Sequence, residues 1–482
     1  MSVNTLMSAL LTHQPDNALF LNTPDGFALE YGPLRKRVAQ TAAHLQAVGV
    51  KPGDRVLCQI AKSPEGLLLY LATVAAGAVF VPLNTGYTGA EIDYFLGDAD
   101  PTLLVLDETT EAARCVAERR GVHVATPIEL TASGPEAFPV ARGGADLAAI
   151  LYTSGTTGRS KGAMLTHDNL LSNAQVLRDL WQFTQDDSLL HALPIFHTHG
   201  LFVATNIMLL AGGRMVFLPS FDIDAVAGHL PECTAMMGVP TFYTRMLGDP
   251  RFTRKALAHM RVFVSGSAPL LAESHAGFKA RTGHAILERY GMTETNMITS
   301  NPYDGDRRAG TVGHPLPGVE MRITAPDAQG IGVVEVKGPN VTPGYWRNTE
   351  KTAESFTEDG WFITGDLGQL DADGYLSIVG RQKDLVISGG FNVYPKEVEV
   401  EIDALPGVVE SAVYGLPDPD LGEVVAAAIV LKADGAMDVA SLGAALSDKL
   451  ARFKIPRRVR VLPELPRNTM GKVQKAQLRA EG

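Results

Sequence analysis

The sequence predicts an α/β protein of two domains: a large N-terminal domain of mixed, largely parallel sheets with helices plus a small β-barrel, and a small α+β C-terminal domain. Three observations carry this. Up to about residue 380, helical patterns alternate with short β-branched runs such as "GAVFVPL", "GGRMVFLP" and "MRVFVSG", as βα units around parallel strands require. Between about 310 and 380 the texture changes to short strands and tight turns, "GVEMRITAPDAQGIGVVEVKG" and "GQLDADGYLSIVG", whose Asp-Gly and Asp-Ala-Gln-Gly turns imply hairpins. After Gly380 the pattern restarts. A chain of 482 residues exceeds one ordinary core, so the expected division is 1–380, a hinge at 381–383 in "GRQKD", and 384–482.

In chain order, "MSVNTLMSALLTHQ" lacks the basic start and long apolar core of a signal peptide. The greasiest stretch, "LLLYLATVAAGAVFVPL" at 67–83, is interrupted by Gly77 and Pro82, so it reads as a buried helix running into a buried strand. Beyond the hinge, "DLVISGG" reads as strand and turn, and "YPKEVEVEIDAL" as a helix with Pro395 in its first turn. Then follow "VVESAVYGLP", "EVVAAAIVLK", a helix within "VASLGAALSDKLARF", and "RRVRVLPELP". Lys plus Arg is 42 against 53 for Asp plus Glu, a net charge of −11, which argues against nucleic acid as a partner. Cys58, Cys115 and Cys233 are sparse and lack metal-type spacing, as reduced thiols would be, so the expected location is cytoplasmic, with no membrane association.

The segment "LYTSGTTGRSKGAML", 151–165, sets glycines, hydroxyls and a lysine between two apolar runs. Its Gly155 and Gly158 are too close for a Walker loop, and Lys161 is followed by Gly162 rather than by a hydroxyl. The chemistry still suits a polyphosphate: Thr153, Ser154, Thr156, Thr157 and Ser160 offer hydroxyls, the glycines admit close backbone N–H groups, and Lys161 supplies charge. A plain surface loop has the same composition, so the segment alone leaves both readings open.

Downstream come "ERYGMTET" at 288–295, "TGD" at 364–366, "GRQKD" at 380–384 and "PRNTMGK" at 466–472. These motifs, in this order, resemble the adenylate-forming superfamily of acyl-CoA synthetases, luciferases and peptide-synthetase adenylation domains. The resemblance covers almost the whole chain and implies that fold and a two-step reaction. A carboxylate joins AMP with release of pyrophosphate, and the acyl group then passes to a thiol such as that of coenzyme A. It further implies that 153–158 and Lys161 hold the phosphates of ATP, with Glu294 the carboxylate for Mg2+. Thr293 would bond the α-phosphate, and Tyr290 would pack on adenine with Glu288, Ser267, Ala268 and Pro269 close by. Asp366 would accept from the ribose hydroxyls and Arg381 would contact ribose or phosphate. Lys472 resembles the lysine that draws carboxylate and α-phosphate together, on a domain that swings about Lys383. Ser388, Gly389 and Gly390 would line the path of coenzyme A.

The acid itself is addressed by Arg289, which precedes the motif tyrosine where relatives with large substrates often have glycine. A guanidinium there shortens the pocket and offers a forked donor to a second carboxylate. The alternative is a rim arginine paired with Glu288 or contacting nucleotide. "LPIFHTHGLF" places His197 at the family's gating position with His199 beyond it, and "SGSAPL" adds Ser265 and Ser267. Two histidines without a third ligand make a weak metal motif. Together these segments resemble malonyl-CoA synthetases, implying malonate, and also methylmalonate, as the small dicarboxylic acid that meets ATP and CoA. Alternatives are another short carboxylic acid, or an amino acid passed to a separate carrier protein. The expected assembly is a monomer or weak dimer, and Lys472 is a candidate for control by a lysine acetyltransferase and deacetylase.

Overall fold

The computed structural model describes residues 3–107, 111–153, 160–389, 391–432, 437–468 and 471–482. Two compact units divide the chain: 1–309 with 313–320 and 336–362, and 310–312 with 321–335 and 363–482.

The first unit contains two sheets. One has six strands in the order His123–Ala125, Leu103–Leu106, Arg55–Gln59, Val79–Pro82, Leu147–Thr153, Lys161–Thr166; all pairs are parallel except the last. The other has nine strands, with a parallel centre running Leu287–Met292, Val262–Ser265, Ala235–Gly238, Ser188–His191, Arg214–Phe217 and antiparallel strands toward both edges. The apolar run at 67–83 does split as expected. Ser63 caps the helix Pro64–Ala75 by accepting from Gly66 N, Pro64 occupies the first turn, and Gly66 to Ala75 are all buried. The strand Val79–Pro82 follows. Twelve helical residues span only ~18 Å, well short of a bilayer core. Among the described residues no helix is long and apolar enough to cross a membrane.

The second unit holds most of a four-stranded sheet, Glu320–Thr324, Gly332–Lys337, Phe362–Leu370, Leu376–Arg381, and a five-stranded sheet built on the long hairpin Val408–Asp418 and Gly422–Leu431. The small barrel expected from the hairpin texture corresponds to this four-stranded sheet. Helix Pro395–Asp403 begins on its proline, as anticipated, and buries Val398 and Ile402 against Val413, Val425 and Ile429. The grouping also differs from a break at Gly380. The small sheet belongs with the C-terminal segment because Tyr394 donates to Asp327 at 2.6 Å and Val312 N to Leu376 O at 2.7 Å. Residues 381–383 run from the end of the strand Leu376–Arg381 into the single turn Gln382–Asp384, inside this unit.

Candidate active site

In parallel sheets the crevice beyond the carboxyl ends of the strands is where ligands bind. Here the antiparallel hairpin Leu287–Met292 and Asn296–Ser300 extends that edge, with Thr293 and Glu294 in its turn. Gly291 is obligatory, since a Cβ there would lie 1.9 Å from Asn296 O. Glu294 is buried and accepts from Tyr345 OH at 2.9 Å. Thr342 N donates to Glu294 O at 2.7 Å, and Thr342 Oγ1 to Met164 O at 2.6 Å, so the segment with Tyr345 is bound to both hairpin and neighbouring sheet.

Lys161 opens its strand opposite Thr153, the last residue of Leu147–Thr153. Its Nζ lies 5.9 Å from the centre of the Tyr345 ring. Burial, then the like charge of Lys351, lowers its pKa, while Glu354 and Glu294 oppose the shift. Lys161 and Glu294, far apart in sequence, thus flank one tyrosine that the sequence did not single out. Ser154, Gly155, Thr156, Thr157 and Gly158 lie outside the described residues.

A second cluster forms behind the hairpin. Alternation along Leu287–Met292 sends neighbouring side chains to opposite faces. Glu288 pairs with His275 of the helix Ala272–Thr282 at 3.0 Å, not with Arg289. That leaves Arg289 without the carboxylate partner that the alternative reading gave it. Arg289 itself is 3% exposed, and its Nε and Nη2 have no hydrogen-bond partner among the described residues. The guanidinium lies on the backbone of Gly266, where a Cβ would come 2.3 Å from Cζ. Burial pushes its pKa down to about 9. Beside it, His199 is pushed well below the usual imidazole range by burial and by Arg289, and its Nδ1 faces Ser267 Oγ at 3.3 Å. Ser267 adopts φ +71°, a strained turn at the strand end, followed by the partly buried Ala268 and exposed Pro269. Ser265 is buried with its hydroxyl unpaired among the described residues. His197 stacks edgewise on Phe196 at 4.5 Å. Tyr290 and Thr293 are partly buried.

In the second unit, Asp366 and Arg381 face each other across paired strands, with Arg381 Nε 2.6 Å from Asp366 Oδ1. Asp366 is buried, and its N–H donates to Thr364 Oγ1 at 3.0 Å. The Lys383 amine is lowered by burial first. Ser388 is buried at the end of the strand Val386–Ser388, Gly389 has φ +58°, and Gly390 lies outside the described residues. Lys472 is exposed, and its carbonyl accepts from Asn468 N at 2.9 Å.

Residues 9–346 match the AMP-binding enzyme family and 397–472 match the AMP-binding enzyme C-terminal domain. ATP-bound MatB from Rhodopseudomonas palustris is 53% identical with a TM-score of 0.96, over 100% of this chain and 99% of that one. A feruloyl-CoA synthase from Amycolatopsis sp is 38% identical over 94% of each chain. A malonate–CoA ligase of Arabidopsis thaliana is 36% identical over 91% of this chain and 80% of its own. With its motifs, its sheets and most of its length accounted for, the chain belongs to the AMP-binding enzyme family of adenylate-forming enzymes.

Proposed function

We propose that the protein is a malonate–CoA ligase: malonate, ATP and CoA give malonyl-CoA, AMP and pyrophosphate. The observation that carries the acid is Arg289, a buried fork with two unpaired N–H-bearing nitrogens at the crevice edge. A buried guanidinium without a counter-charge is costly, and a second carboxylate supplies one bidentately. The neighbouring bases, His199 and His191, bring no acid to compete for it. Similarity to the Arabidopsis malonate–CoA ligase supports the same reading. Similarity to a feruloyl-CoA synthase does not weaken it, because a bulky aromatic acid would have to pass the guanidinium.

The residue roles follow. Arg289, with His197, Ser265 and Ser267 around it, holds the far carboxylate and leaves the near one to attack the α-phosphorus. The bond to the bridging oxygen breaks, and pyrophosphate leaves toward Lys161, Thr153 and the 154–158 loop. Thr293 and Tyr290 face the α-phosphate and adenine, and Asp366, fixed by Arg381, accepts from the ribose. Glu294 is a single buried carboxylate; no group of three or more His, Cys, Asp or Glu suited to a metal occurs among the described residues. One protein carboxylate is what a magnesium held mainly by phosphate oxygens asks for, so Glu294 fits as its protein ligand. Magnesium, when bound, neutralises charge on the phosphate oxygens. Lys472, on the C-terminal segment, brings the two anions together. Motion about Lys383 then exchanges it for the Ser388–Gly390 face, past which the thiol of CoA reaches the acyl carbon and expels AMP.

Acid-dependent AMP and pyrophosphate release over C2 to C6 mono- and diacids tests this. Malonate should lead, methylmalonate should follow, and acetate should fall roughly a hundredfold behind in kcat/KM, as a lost charged pair predicts. Acetate or a medium-chain acid outpacing malonate would refute the acid assignment. In the same assay Lys472→Ala should stop pyrophosphate release yet still form thioester from supplied acyl-adenylate; equal loss of both steps would contradict the two-face scheme.

A further inference from the structure

The segment 192–204, which carries Phe196, His197 and His199 along the acid pocket, includes a π-helical turn, His199–Ala204. Such turns disturb the regular hydrogen-bond ladder, leaving carbonyls for side chains to satisfy. Here the carbonyl is that of Gly200, which has no room for a side chain because a Cβ would lie 2.2 Å from Pro194 O. Gly200 O accepts from His191 Nε2 at 2.8 Å and from Thr205 Oγ1 at 3.0 Å. With its Nε2 donating, the His191 ring presents Nδ1 as an acceptor, and Lys62 Nζ donates to it at 2.9 Å and to His191 O at 2.7 Å.

Lys62 belongs to the other sheet. It follows the strand Arg55–Gln59 and precedes the cap of helix Pro64–Ala75, whereas His191 ends a strand of the nine-stranded sheet. Its amine also lies 4.3 Å from the centre of the Phe217 ring, which packs at a tilt against His191. The packing repeats the link: a Cβ at Gly66 would lie 2.8 Å from Ile195 Cδ1, and Tyr70 donates to Asn206 Oδ1 at 3.1 Å. Lys62, Ala192, Pro194 and Phe196 line one cavity of about 590 Å³.

We infer that Lys62, acting through His191 and the Gly200 carbonyl, is a positioning residue that sets the π-helical turn against the acid and so tunes which acid is accepted. Resting on the reading of the Arg289 pocket as the acid site, this assigns work to a half-buried amine and a buried imidazole outside the adenylation motifs. Lys62 touches neither acid nor nucleotide in this role. Its removal should therefore act on the acid terms and spare those of ATP.

The experiment compares Lys62→Met, His191→Leu and His191→Gln in the pyrophosphate-releasing half-reaction, with melting temperatures recorded. Wild-type turnover of malonate is measured first, so that failure of the acid reading shows separately. Lys62→Met and His191→Leu should raise the malonate KM about tenfold, the scale of a lost hydrogen bond, and narrow the malonate-to-acetate preference. The ATP KM should stay within about twofold of wild type. His191→Gln, whose amide offers both a donor and an acceptor, should restore most of the loss. A malonate KM unchanged in Lys62→Met overturns the inference, as do acid and ATP constants rising together with a lowered Tm. Should Lys62→Met fail to fold, equal acid constants in His191→Gln and His191→Leu overturn it from the other end of the chain.

Discussion

Glu294 and Arg289 lie on one hairpin, both buried, in opposite circumstances. The carboxylate has a donor in place, Tyr345 OH at 2.9 Å, and a backbone that is itself anchored through Thr342. The guanidinium has two nitrogens with no partner among the described residues and burial working against its charge. On the proposed roles, the phosphate end is assembled from the protein's own groups. The proposed acid end is completed by whatever binds there. A site of the first kind loses rate when a support is cut; one of the second loses recognition and gains stability when its lone charge is removed.

The largest expected effect lies at the acid end. Arg289→Met should lower kcat/KM for malonate about a hundredfold or more, because the far carboxylate loses both forked bonds, while acetate changes little. The same change should raise stability by about 1–3 kcal/mol, since an apolar side chain replaces an unpaired buried charge. Steady-state kinetics with both acids, and urea unfolding, measure the two halves. A less stable Arg289→Met would mean that the guanidinium is structurally paired, and the contrast with Glu294 would collapse.

A smaller effect is expected at the phosphate end. Tyr345→Phe keeps the ring beside Lys161 and removes only the hydroxyl that holds Glu294. The maximal rate of pyrophosphate release should fall about tenfold, with the malonate KM unchanged, as for a support felt mainly in the transition state. A raised malonate KM with an unchanged rate would place Tyr345 at the acid end instead.

How much of this the sequence disclosed depends on whether a role was local. Gly291, Glu294 and Lys161 sit in contiguous motifs, so the expectation for each could be formed before folding. The Asp366–Arg381 pair was legible as two motifs, and cross-strand register supplied their 2.6 Å contact. The contact of Glu288 with His275, a partner thirteen residues upstream with no motif of its own, is set by strand alternation and could not be read locally. Tyr345 and Lys62 were invisible for the same reason: each works by reaching across from a segment whose own sequence is ordinary. Strands at 310–380 are legible from their turns, whereas the Tyr394–Asp327 bond to the C-terminal segment depends on tertiary contact.

A third, half-buried charge grades the contrast between satisfied and unsatisfied groups. Asp403 is the last residue of the helix Pro395–Asp403, where the negative end of the helix dipole repels a carboxylate. It has one good donor, Ser411 Oγ at 2.7 Å. Burial, with Glu399 and Glu410 adding repulsion, outweighs Ser411 and Lys396 and raises its pKa to about 6. Because the folded value lies above the unfolded one, the unfolded chain loses the proton first as pH rises. Stability from this group is therefore full below about pH 4, declines between about 4 and 6, and stays at its lower level above. Asp403→Asn keeps an acceptor for Ser411 and carries no charge. At pH 8 it should strengthen the helix by about 1–2 kcal/mol, less than the full shift would give because the side chain is partly exposed, and at pH 4 by almost nothing. Amide exchange across 398–402, compared between variant and wild type at each pH, reads the difference as roughly tenfold slower exchange at pH 8 only. An advantage of equal size at both pH values would show that something other than the buried charge limits this helix, and Asp403 would then rank with Glu294 among the satisfied groups.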